Sequence, residues 1–518
     1  MTIPTRLVQR VASRESVEPA LTGPANLTSR AAVNTIAQLL PPIVRVVLGI
    51  ALIALLSREL GRDGLGQYAL LFAYVALFNV VFNDWGLATI VLREISQRPG
   101  ERAGILSSAA RLQALVSCGS YLCMVLGVFV LRYPDPVKYG ATLYGLSLLI
   151  GPVNILSMPF QADLRLNELL APSLAQALLA FVLSVAVLAA VGGSIVWLAV
   201  ASLIAVIVQT AWIALLTRRR FFRGGTRQRT PPRGHWPALI REAWPVGAAS
   251  TLKVGWQQIP VLILGAYSIS ATGLFHAANR APQQLVVVPI ALNATMFPLL
   301  ARSWAADRAL FARQLDRLVA GSLFVVVPAV ILGVATAGPV MRLLLGSEFT
   351  GAATPYALLL ITAGLLFPII FLAEALNAAG SQRLNLALLC VLTPLLTAAV
   401  VGVAPRGETT GVAAALLVGY GAYLAALLGA AVLRFGDGAP VSAVGAGVVA
   451  MTIGAVALWL TAGAGVGVSS TVAPAVSLAA LACLRPDIAA LAGRITNLLP
   501  KFAPQPVVQE VPHGQHTS

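Results

Sequence analysis

Apolar runs of about 20 residues, the length a helix needs to cross a bilayer, follow one another along nearly the whole chain. They fall near 31–57, 65–86, 105–131, 139–160, 169–191, 194–216, 243–268, 273–301, 318–341, 353–379, 384–404, 411–433, 440–462 and 466–484. The pattern predicts an all-α integral membrane protein with fourteen transmembrane helices. Connections are short apart from one. The stretch 217–241, TRRRFFRGGTRQRTPPRGHWPALIR, is basic, rich in Pro and Gly, and follows six helices. The chain thus reads as a tail at 1–30, a first half at 31–216, the basic cytoplasmic linker at 217–241, a second half at 242–434, a last helix pair within 435–493, and a disordered tail at 494–518. The plainest role for the linker is topological, its arginines meeting anionic headgroups.

Composition strengthens the membrane reading. The chain is 58% hydrophobic and 10% charged, against about 25% charged for soluble domains. A net charge of +16 would suit nucleic acid, but its distribution argues for topology instead. With the N-terminus inside, the inner segments hold 25 Lys and Arg and the outer loops 6. By the positive-inside rule both termini are cytoplasmic and the protein is multi-pass in the cytoplasmic membrane. Residues 1–30 carry arginines and lack a continuous apolar stretch, so they read as a tail and not a cleavable signal. Cys118, Cys123, Cys390 and Cys483 lie in apolar runs without metal-ligand or disulfide spacing and are expected to be packing residues. No cofactor or metal motif is present.

Three cations break the apolar pattern near the middle of predicted spans: Arg45, Lys253 and Arg280. Each costs roughly 2.5–3.5 kcal/mol on insertion scales, so each marks a candidate functional site. No acid is expected at the same depth. Polar neighbours recur at helical spacing: Asn34, Gln38 and Arg45 on the first helix, Lys253 and Gln257 on the seventh, and His276, Arg280 and Gln284 with Asn279 and Gln283 on the eighth. Residues at such steps share a face. Asn79 and Asn83 lead to Asp84 on the second helix, and Glu374 and Asn377 lie near the inner end of the tenth. Asn and Gln also serve as interhelical hydrogen-bonding groups. Asp84 and Glu374 have a plain explanation in pairing with loop arginines, or with one of the three cations in one conformation. Asp84, His276 and Glu374 are the candidates for ion coupling or gating.

The halves repeat weakly. Gly66-Gln67-Tyr68-Ala69 opens the second helix and Gly273-Leu274-Phe275-His276 the eighth, an offset of 207 that carries Arg45 to within one residue of Lys253. Six intervening helices make the repeats parallel, related by an axis along the membrane normal. Prolines interrupt many helices, as fits a protein that bends around a cavity.

These residues resemble a known family. SRELGRDGLGQYALLFAY (57–74) and DWGLATIVLREIS (84–96) are similar to the opening of polysaccharide-transport oligosaccharide flippases of the multidrug/oligosaccharidyl-lipid/polysaccharide exporter superfamily. TGLFHAANR (272–280), MFPLLARSWAAD (296–307), GPVMRLLLGSEFTGAATPYALLL (338–360) and NAAGSQR (377–383) continue the likeness in the family's order. The resemblance implies two pseudo-symmetric six-helix lobes around a central cavity, two further C-terminal helices, and alternating access. It implies a polyprenyl-diphosphate-linked oligosaccharide as cargo, moved from the inner to the outer leaflet for cell-surface polysaccharide biosynthesis. Membrane lipids, and glycosyltransferases and a polymerase of the same pathway, are further candidate partners. Arg45, Lys253 and Arg280 would meet the diphosphate, with Gln38, Gln257, Gln284 and Asn279 beside them. The first helix carries fewer arginines than the lipid II flippase pattern, which speaks against a peptidoglycan role.

Two alternatives stay open. One is an exporter of another anionic or amphipathic compound. The other is a membrane glycosyltransferase or polymerase, which needs a catalytic constellation in a sizeable outer loop. The largest outer loop, near 341–352, has Glu348 as its only acid, which argues against an enzyme.

Overall fold

A computed structural model describes residues 24–490 apart from 84, 164 and 222–234; of 24–42 it describes only the helical backbone. Its helices are α1 (Pro24–Phe78), α2 (Leu87–Gln97), α3 (Arg102–Val130), α4 (Asp135–Gly145), α5 (Gly151–Leu156), α6 (Met158–Ala162), α7 (Leu170–Val191), α8 (Ile195–Phe221) and α9 (His235–Tyr267). They continue with α10 (Ile269–Leu285), α11 (Val287–Ala306), α12 (Arg308–Ala335), α13 (Ala337–Leu345), α14 (Ala353–Ala378), α15 (Gln382–Val403), α16 (Thr409–Phe435), α17 (Val441–Thr461) and α18 (Val466–Leu484). Among the described residues there is no strand.

Every expected span falls on helix. Among the described residues, ten helices or helix runs are long and apolar enough to cross a membrane. The expected spans outside that set, 31–57, 65–86, 243–268 and 273–301, lie in α1, α9 and α10–α11. Those are the segments that bear Arg45, Lys253, His276 and Arg280. Their lower hydropathy has a position in the bundle: they face its interior chemistry, while the more apolar helices surround them.

The first two spans form one helix bent at Gly61, whose φ of 63° is a left-handed conformation open to glycine and costly for other residues. The α14 span is the central one, with 67% of its apolar window buried, whereas the span leading into α7 is peripheral at 11%. α17 and α18 pack against α12. Arg485 fixes that pair, donating to Asp316 Oδ2 at 2.5 Å and to Asp487 Oδ2 at 3.1 Å. The same hydrogen bonds raise the Arg485 guanidinium pKa and hold the Asp487 carboxyl below its usual range.

Two expectations are corrected. All four cysteines are exposed on the bundle surface and none packs in the core. Apolar runs do not separate lipid-facing from core-facing positions, because lipid is as apolar as a core. The second span also does not end as a plain helix: Asn79–Asn83 is a π turn. There Asn83 donates to the Leu148 carbonyl at 2.8 Å and accepts from Ser117 Oγ at 2.8 Å. Gln113 donates to the Asn83 carbonyl at 3.2 Å. The widened turn, a frequent device at functional sites, ties Asn83 to α3.

The repeat has a direct structural counterpart. A Cβ added to Gly66 would run into the carbonyl oxygen of Ile269, and one added to Gly273 into that of Arg62. Both pairs are related by the offset of 207, so the contact is reciprocal, as across a twofold axis. α1 and α10 therefore cross backbone to backbone. Around the crossing, Arg58 donates to the Leu343 carbonyl at 2.6 Å, and Arg62 to that of Glu348. A second close approach lies at the other end of α9, where Gly247 meets the backbone of Trp85.

Candidate functional site

Between those two approaches lies the largest cavity, about 420 Å³. On α1 it begins after Gly66, on α9 it lies beyond Gly247, and on α10 it begins after Gly273. Phe72, Ala76, Asn79, Tyr144, Asn154 and Gln209 line it from the first half of the chain; Gln257, Gln258, His276, Asn279, Arg280 and Gln283 line it from the second. The helical steps read from the sequence explain the second wall, because 276, 279, 280 and 283 share one face of α10. Repeat-related positions on α1 are Ala69, Phe72, Ala73 and Ala76, which also line it. One face of the pseudo-symmetric pair is polar and the other apolar and aromatic. The lining residues include no carboxylate.

Arg280 lies flat against the first helix at Gly49, where an added Cβ would stand 2.7 Å from Nη2. Its Nε and the Nε2 of His276 are both buried without a hydrogen-bond partner. Among the described residues Arg280 has no ion pair. Buried polar atoms are nearly always satisfied, so two orphaned nitrogens in one cavity mark a place where a ligand's acceptors fit. Gly49→Ala separates the two effects of this packing. It should leave stability unchanged or raised by up to about 1 kcal/mol through helix propensity, yet displace the guanidinium and lower transport several-fold. A thermal melt and a transport assay on the same variant check this.

Three smaller cavities continue from the first. One of about 250 Å³ is lined by Gln257, Asn279, Gln283 and Gln284 among others. One of about 310 Å³ holds Lys253, Gln257, Asn293, Glu374 and Tyr423. The last, about 390 Å³, lies at the turn between α14 and α15 and is lined by Ser250, Lys253, Asn377, Gln382, Arg383 and Asn385.

The expected site residues are thus distributed. Arg280, Asn279, Gln257 and His276 meet in the central cavity, with Gln284 in the adjoining one. Lys253 is apart from Arg280, and the expectation that it lacks an acid is corrected: Glu374 Oε1 stands 3.9 Å from its Nζ. Glu374 also faces Lys253 in place of a loop arginine, and its Oε2 accepts from Asn377 at 3.1 Å. The physical reason is reach, since a long flexible ammonium stem bridges a difference in depth along tilted helices. Arg45 is exposed, one turn before Gly49 on the same face, and lines none of the four cavities. Asp84 and the side chain of Gln38 lie outside the described residues. Tyr144, Asn154, Gln209 and Gln258 were not anticipated: Tyr144, Asn154 and Gln209 are isolated polar positions in apolar runs, without a repeated step to mark a face.

An all-helical bundle crossing a membrane around an amide-rich cationic cavity defines the class, a polytopic membrane transporter fold. The chain belongs to the polysaccharide biosynthesis protein family, whose profile it matches over residues 27–304, more than half its length. No curated protein sequence matches it. Among solved structures it is similar to "Lipid II flippase MurJ, inward closed conformation", with TM-score 0.67, 12% identity, and coverage of 88% of this chain and 99% of that one. It is similar to an inward-facing "multidrug resistance MATE family transporter of the MOP superfamily", with TM-score 0.60, 15% identity, and 78% and 98% covered. A third is a Pyrococcus furiosus transporter of that superfamily, titled for the "reverse polarity of binding pocket", with TM-score 0.53, 15% identity, and 77% and 96% covered. These likenesses place the fold among transporters of the MOP superfamily.

Proposed function

We propose that the protein is a flippase that moves a polyprenyl-diphosphate-linked oligosaccharide from the inner to the outer leaflet of the cytoplasmic membrane for cell-surface polysaccharide biosynthesis. The observation that carries this reading is Arg280 with an orphaned Nε, beside His276, in a cavity of carboxamides without a lining carboxylate. A guanidinium offers a planar fork of donors suited to phosphate oxygens. Carboxamides both donate and accept, as sugar hydroxyls require, and Phe72 and Tyr144 give apolar faces for a sugar ring. The polarity suits an anionic cargo and opposes a cationic drug. The titles of the lipid II flippase and of the reversed-polarity transporter are in keeping with such a cargo.

In this reading residues 31–216 and 242–434 act as two lobes that rock about the cavity, joined by the linker at 217–241, with 435–493 as an added pair facing lipid. Both tails are cytoplasmic, so the Gly66–Gly273 crossing is the outer seal and the Gly247–Trp85 approach the inner one. Pathway glycosyltransferases and a polymerase would supply and consume the cargo. Deleting the gene should cause a lipid-linked oligosaccharide to accumulate on the inner leaflet, as read by lipid extraction and mass spectrometry of spheroplasts. Absence of any accumulating glycolipid, with surface polysaccharide intact, would contradict the proposal.

A further inference from the structure

On α9, Ser250, Lys253 and Gln257 recur at three- and four-residue steps and share one face. That face runs from the α14–α15 turn to the central cavity. Ser250 and Lys253 line the turn cavity, Lys253 and Gln257 the next, and Gln257 the central one. The turn cavity has two cations, Lys253 and Arg383, and no lining carboxylate. Among the described residues Arg383 has no ion pair. Asn385 is only 4% exposed. Its Oδ1 accepts from Tyr423 Oη at 2.7 Å, while its Nδ2 has no acceptor among the described residues.

Glu374 engages Lys253 from outside this cavity and weakly. At 3.9 Å, with the lysine side chain 46% exposed, the contact belongs with ion pairs worth about 0–1 kcal/mol. An anion that reached both Lys253 and Arg383 would gain charge-assisted hydrogen bonds from each and lose little by separating Lys253 from Glu374.

We infer that Lys253 and Arg383, with Asn385, form a receiving site for the cargo's diphosphate, distinct from Arg280, and that Glu374 competes with the diphosphate for Lys253. The inference rests on the lipid-diphosphate reading above. In the assigned orientation the turn lies at the cytoplasmic mouth, so the anion meets this site first and passes along α9 to Arg280. Glu374 returns Lys253 to its resting contact once the anion has moved on.

The test is calorimetric titration of the full-length protein in detergent with farnesyl diphosphate, a short polyprenyl diphosphate. Two binding events are expected. Arg383→Gln should weaken one of them about tenfold or more, the scale of one charge-assisted contact, and Arg383→Lys should retain most of it. Arg280→Gln should weaken the other. Glu374→Gln should tighten the Arg383-dependent event about threefold or more, a gain that structural damage does not produce. A single event lost only with Arg280→Gln, and unchanged in the Arg383 and Glu374 variants, overturns the receiving site and leaves the flippase reading standing. No binding to the wild-type protein overturns the flippase reading itself. Phosphatidylglycerol offers the same phosphate chemistry from the bilayer. If it displaces farnesyl diphosphate from the Arg383-dependent site at equal concentration, the site takes headgroups and its assignment to cargo fails.

Discussion

Arg280→Gln is expected to lower translocation by about 30-fold or more while the protein still inserts and folds. The guanidinium has no carboxylate partner among the described residues, so its removal leaves no buried acid exposed to cost stability. What is lost is the partner of an anion held away from water. Removing one side of such a buried charged contact costs about 2–5 kcal/mol, and 2 kcal/mol is about 30-fold. Arg280→Lys should restore part of the rate, because charge is kept while the flat packing on Gly49 is lost. Initial rates of glycan export in a complemented deletion strain, normalised to membrane-inserted protein, measure both. A wild-type rate in Arg280→Gln would remove Arg280 from the transport path.

The second large effect is expected at the helix crossing. Gly273→Ala puts a methyl group into the carbonyl of Arg62, which belongs to the backbone and has no rotamer by which to move aside. Overpacking of this kind costs about 1–3 kcal/mol, or about 5- to 150-fold in the population of the closed contact. The loss falls on the state in which α1 and α10 touch, so states open at the Gly61 end gain. A cysteine at position 269, in a variant without native cysteines, should react correspondingly faster with an impermeant maleimide. Gly66→Ala should act alike through Ile269, and the two changes should be less than additive, because breaking the crossing once releases both contacts. Unchanged labelling in both variants would mean that the crossing does not open.

Periodicity carried the architecture. Each apolar run lies on helix, and the four-residue steps of α10 brought His276, Arg280, Asn279 and Gln283 to one cavity wall. The glycine pair chosen to align the repeats proved to be the pair whose backbones touch, because a crossing without Cβ atoms needs glycine on both partners. Contacts between helices were less legible. One-dimensional depth could not show that a lysine stem would reach Glu374. Nor could it show that Arg45, which shares a face with Gly49, would stand clear of the cavities while Arg280 packed on that glycine. The π turn at Asn79–Asn83 depends on partners from α3 far along the chain, Gln113 and Ser117. Lipid-facing cysteines look like core residues in any hydropathy pattern, because both environments reject charge.

The central claim is that the cationic, amide-lined cavity carries a lipid-linked oligosaccharide diphosphate across the membrane. It is tested most directly by reconstituting the purified protein into liposomes with a fluorescent polyprenyl-diphosphate oligosaccharide in one leaflet and following its appearance in the other. Wild-type protein should accelerate transfer over empty liposomes, and Arg280→Gln should reduce it about 30-fold or more. Transfer no faster than in empty liposomes, or equal in wild type and Arg280→Gln, would contradict the account.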